Sequence, residues 1–263
     1  MFERVKTILD KEWNEVFKNK MVLFTVIFMP LLFTLMPLIM LGVTSGDPSM
    51  AGETTDMPAA FTAACENVSA GDCVQIFMMN EFMLLFMMMP LIIPINIAAY
   101  SIVGEKTTRS LEPLLATPIS TVELLLGKGL AATLPAVFAT WLCFGIFAIA
   151  APLIGASQAV VSYIISPIWL IGVLVIGPLF AVASVIIALI VSSRVSDPRV
   201  AEQISAVVII PVLAVLFAQI GGILILDVQA MILGVMVMLA ADIGLVALAA
   251  QLFQREVILT RWK

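Results

Sequence analysis

Histidine is missing from this chain of 263 residues, tyrosine occurs twice and cysteine three times. Without histidine the commonest metal ligand and the usual general base are gone. Charge is scarce as well: Asp, Glu, Lys and Arg make up 12% of the residues, against 62% hydrophobic. Soluble domains carry about 25% charged residues. With a mean hydropathy of +1.15 the chain reads instead as an all-α polytopic membrane protein. The basic stripe of a nucleic-acid binder is absent. So are the phosphate-cradling Gly-x-x-x-x-Gly-Lys-Ser/Thr loop, His-Glu-x-x-His and Gly-x-Ser-x-Gly. Gly127-Lys128 lacks both the upstream glycine and the following hydroxyl. The chain is not expected to hydrolyse ATP itself, nor to bind a metal or another cofactor.

What is present is a series of long apolar runs. Residues 1–20 place Phe2, Val5, Leu9, Trp13, Val16 and Phe17 at helical spacing, with Arg4, Lys6, Lys11, Lys18 and Lys20 among acids. That pattern predicts an amphipathic elbow helix in the membrane interface, its aromatics toward lipid. The plainer alternative is a solvated helix leading into a span. A cleavable signal peptide is not expected, because the charged region is long and no small-residue cleavage site follows. Six spans are predicted over about 21–43, 76–100, 129–151, 167–191, 203–226 and 228–253. Pro30 and Pro37 are expected to kink the first. Residues 129–193 carry no charge, too long a run for one helix, so a break is placed between Pro152 and Pro167. Asp227 marks a tight turn before the sixth span.

Every Lys and Arg falls on one side of this layout. Five lie in residues 1–20, three in 101–128 (Lys106, Arg109, Lys128), two in 192–202 and three in the tail, which accounts for all 13. The loop over 44–75 holds five acids and no base. The positive-inside rule then puts both termini and the 101–128 loop in the cytoplasm of a cell-membrane protein. The 44–75 loop, outside, contains Cys65 and Cys73, for which an oxidising setting permits a disulfide, and a weak glycosylation pattern at Asn67-Val68-Ser69.

The longest polar island is Gly104–Ser120. Leu111, Leu114, Leu115 and Ile119 recur at helical spacing, Glu105, Arg109 and Glu112 stand three and four apart, and Pro113 and Pro118 punctuate. Glu105-Lys106, the run Leu111 to Ser120, and Glu123 to Lys128 resemble the signature of ABC-2 type permeases, closest to the sodium-exporter and general exporter branches. Arg109-Ser110 stands where Gly-Thr is commonest in that family.

The resemblance implies a permease that lacks its own ATPase and works with cytoplasmic ATP-binding subunits, which hold ATP and Mg. It also implies a second permease copy or paralogue, with the substrate crossing between the two, outward. The helix in the 104–120 loop would dock in a groove on the ATPase, with Leu111, Leu114 and Leu115 filling the groove, Glu105, Arg109 and Glu112 orienting it, and Pro118 closing the helix. The short turn at Asp227 leaves little room for the re-entrant helices of polysaccharide- and lipid-exporting relatives.

Asp242 is the sharpest single residue, since a carboxylate inside a span is costly and marks function by default. It can bind a cation, relay a proton or meet a polar substrate group. The plainer reading pairs it with Gln219 or Asn96 to hold helices together. Glu81 lies near the outer rim and reads as ordinary. The methionines at 78, 79, 83, 87, 88 and 89 suit an adaptable apolar path, but packing bulk is the commoner use. One rival function is an ATP-independent transporter or channel that uses Asp242. Another is a membrane anchor that only recruits a complex.

Overall fold

The computed structural model describes residues 2–16, 18–46, 58, 61, 68–107 and 120–252. Regular structure among them is helical. Helix α1 covers Phe2–Val16, α2 Lys20–Gly46, α3 Ala70–Thr107 and α4 Thr121–Leu153. Next come α5 (Gln158–Ile164), α6 (Pro167–Ile171), a π-helical turn over Gly172–Ile176, and α7 (Gly177–Arg194). The chain finishes with α8 (Pro198–Ser205), a 3-10 turn over Ala206–Ile209, α9 (Ile210–Ile220) and α10 (Val228–Leu252). Six stretches are long and apolar enough to cross a membrane: Val22–Ser45, Ala70–Glu105, Val122–Leu153, Gln158–Arg194, Pro198–Ile220 and Val228–Leu252.

The capping chemistry explains where these helices begin. Ser120 accepts the Glu123 N–H while the Glu123 carboxylate takes the Ser120 N–H at 2.9 Å, a reciprocal box that starts α4 at Thr121. Residues 123–128, expected in the loop, are therefore helical. Asp197 accepts the Arg199 N–H at 2.8 Å and Pro198 fills the first helical position. The polar loop expected over 192–202 shrinks to 195–197 as a result. Span five ends at Ile220, short of the expected 226, because Gly222 at φ +68 adopts the left-handed conformation that stops a helix. Asp227 then caps α10 by accepting the Ala230 N–H at 2.7 Å. Helix α2 continues through Pro30 and Pro37.

Helix α3 is the axis of the bundle. The α2, α4, α7, α8 and α9 helices pack on it, while α10 lies on the stack of α6, the π turn and α7. Met79, Met83, Met87 and Met89 of α3 are buried in the core, which favours the packing reading of the methionines. Trp169 sits at the centre, with the rings of Phe86, Phe144 and Phe147 5.5–5.7 Å away. At Gly172 an added Cβ would come within 2.2 Å of the Met87 methyl, so the bare glycine gives that side-chain tip its present place against the π turn. The wide turn leaves the Val173 carbonyl free for Trp141 of α4, whose indole donates to it at 3.1 Å.

Candidate functional site

The 104–120 island is carried on two stems, the end of α3 and the start of α4, and α1 crosses both. Gly127 makes the crossing close: a Cβ there would fall 2.6 Å from Ile8, so glycine is what lets α1 lie on α4. One residue on, Lys128 points into the junction and is almost fully buried. Its ammonium donates to Glu12 of α1 and to the Ser101 hydroxyl of α3, each at 2.7 Å, and stands 2.8 Å from Glu105 of α3 as an ion pair.

Lys11 of α1 bonds the other Glu105 oxygen from the exposed side and stands 3.7 Å from Glu15. Lys11, Lys128, Glu12 and Glu105 thus make a neutral quartet, three of whose members are buried. Burial pulls the Lys11 ammonium down, but the hydrogen bond and charge of Glu105 outweigh it and hold the pKa above the ordinary lysine value. A group raised in this way contributes fully below the ordinary lysine value, as long as its carboxylate partner is ionised, and loses that contribution as pH rises through the raised value.

Two further contacts fasten α1. Arg4 stands 3.6 Å from Glu123, and the Trp13 indole donates to the Ala131 carbonyl at 3.1 Å. Of the stripe expected in the interface, Val16 is buried against the bundle, as is Ile8, which lay outside that stripe, with buried Glu12 between them.

Of the expected coupling residues, Glu105 lies at the heart of this junction. Arg109, Leu111, Glu112, Leu114, Leu115 and Pro118 lie outside the described residues. Lys11, Glu12 and the role of Gly127-Lys128 escaped the sequence reading. The available signal was Lys128, the last charge before an uncharged run that ends at Arg194.

The pathway candidates do not converge. The Asn96 amide donates to the Ile92 carbonyl of its own helix at 3.0 Å. Gln219 is buried near the end of α9, and Asp242 is with Met231 one of the two buried residues of α10. Neither side chain has a hydrogen-bond partner among the described residues, and no bond joins them. Glu81, read as ordinary, has both carboxylate oxygens buried and unpartnered, beside Asn80, which accepts the Tyr163 hydroxyl at 2.7 Å. Cys73 is disulfide-bonded and Cys143 is free, while Cys65 lies outside the described residues. No cluster of three His, Cys, Asp or Glu able to hold a metal occurs among the described residues.

A family model described as "ABC-2 family transporter protein" matches residues 6–234. No curated protein matches the chain.

Proposed function

This chain belongs to the ABC-2 transporter family, and from that we propose that it is the membrane subunit of an exporter driven by separate cytoplasmic ATP-binding subunits. The 104–120 helix docks on the ATPase, with Leu111, Leu114 and Leu115 in its groove and Arg109 and Glu112 at the rim. Two permease copies, or this chain and a paralogue, enclose the pathway, and both termini face the cytoplasm.

The observation that carries this reading is the quartet around Lys128. A loop whose two stems are pinned to each other and to a third helix by buried, paired charges cannot swing freely on flexible ends. Force on it moves the ends of α3 and α4 together, and α1 with them. A surface loop without a mechanical role has no use for such fixed stems, since exposed ion pairs contribute little.

The test is purification of the tagged protein in mild detergent from its own cells, with ATPase activity assayed on the eluate. A stoichiometric ATP-binding subunit is expected, lost on joint Leu114→Asp and Leu115→Asp substitution. A functional preparation with no such partner and no ATPase activity overturns the reading. The buried, unpaired Asp242 would then favour the rival, a transporter driven by an ion gradient through that carboxylate.

A further inference from the structure

A groove of about 710 Å³ runs between α2 and α4 and opens sideways between the two spans. Ile27, Leu31 and Leu38 form one wall, Leu134, Phe138 and Ile146 the other, and Trp13 of α1 closes one end. Its polar groups are already satisfied. The Thr34 hydroxyl donates to the Pro30 carbonyl at 2.7 Å, and the Trp13 indole is held by Ala131. The lining offers no hydrogen bond to an occupant, so whatever fills it is hydrocarbon.

The shape decides which hydrocarbon. The walls span Val26–Leu38 and Leu134–Ile146, so the groove is about 18 Å long at 1.5 Å per residue. That is a little over half of the ~30 Å hydrocarbon core, so it matches the acyl chains of one leaflet, whereas a span of a second copy would run on past it.

The Trp13 end identifies the leaflet and the headgroup. Trp13 sits on the same helix as the basic residues of the N-terminal segment, and Lys18 and Lys20 stand exposed where α2 enters the groove. Indole and lysine side chains at the end of a span mark the headgroup layer, and the lysines there attract anionic lipid. We propose that this groove binds the acyl chains of an anionic phospholipid of the cytoplasmic leaflet, with Lys18 and Lys20 at its headgroup. The proposal rests on the membrane orientation but not on ATPase docking.

Native mass spectrometry of the full chain, released from nanodiscs of equal phosphatidylglycerol and phosphatidylcholine, tests it. The wild type is expected to retain phosphatidylglycerol at least fivefold over phosphatidylcholine. Leu142→Trp and, separately, Leu35→Trp fill the groove and should lower that retention about tenfold. Val237→Trp, on the exposed face of α10, should leave it unchanged. Joint Lys18→Gln and Lys20→Gln should remove the preference while some lipid remains. Using two filling variants separates loss of the site from failure of one variant to fold. Equal retention of the two lipids, or retention unchanged in a folded filling variant, overturns the proposal. A filling variant that shifts the oligomeric state without losing lipid also overturns it, and gives the groove to a second copy. Absence of an ATPase partner would leave all these outcomes unchanged.

Discussion

Two of the places where this bundle buries charge are built on opposite principles. Where α1 crosses the ends of α3 and α4, Lys128 is held by Glu12, Glu105 and Ser101, and Lys11 completes a neutral quartet. In α10, Asp242 is buried with both oxygens unpartnered among the described residues. Buried charge is costly unless paired, so the first arrangement fixes geometry and the second keeps a carboxylate uncommitted. The comparison teaches that the first site is held by its own partners, while the second leaves a buried carboxylate with none among the described residues.

The largest effect should come from Lys128→Met. It leaves two carboxylates facing each other in a dry junction and should cost about 3–5 kcal/mol, read as a fall in the detergent-solubilised melting temperature. Loss of ATPase coupling should accompany it even in lipid that restores the fold. If Lys128→Met melts like wild type, the quartet is not the fixed base described here.

Gly127→Leu comes next. The new side chain meets Ile8, and overpacking of this kind costs about 1–3 kcal/mol. Gly127→Ala combined with Ile8→Ala should recover most of the loss, which chemical denaturation can measure. Ser120→Ala removes the cap that starts the second stem and should cost about 1 kcal/mol, visible as faster amide exchange in the first turn of α4. Asp242→Asn should be the mildest for stability, under about 1 kcal/mol, since no hydrogen bond is broken. A larger loss would show that Asp242 has a structural partner after all. ATP-driven export should survive Asp242→Asn, whereas gradient-driven transport through that residue would not.

The number of spans, their order and the family were legible because they depend on uncharged run length and on one contiguous motif. Where helices begin was less legible. Asp197-Pro198 and Ser120 with Glu123 are capping signals that hydropathy averages over, and reading them would have moved two boundaries. The quartet was illegible for a different reason. Glu12 and Lys128 are 116 positions apart and Lys11 and Glu105 are 94 apart, and nothing local in either segment says that they meet. Glu81 was placed at the rim because α3 was expected to begin at 76. The helix starts at Ala70, so Glu81 lies deeper.

The π turn at Gly172–Ile176 has a rotational consequence. At about 100° per residue, Trp169 and Ser192 would lie about 140° apart around an unbroken α-helix. A π turn takes up one extra residue, which brings the two to about 40° of one another. Both are fully buried, one in the aromatic centre and the other nearer the C-terminal end of α7. The wide turn therefore works as a phase correction that keeps one continuous seam turned inward along the whole fourth span. Deleting a single residue between 172 and 176 would restore a regular helix and swing the α7 half of that seam away from the core.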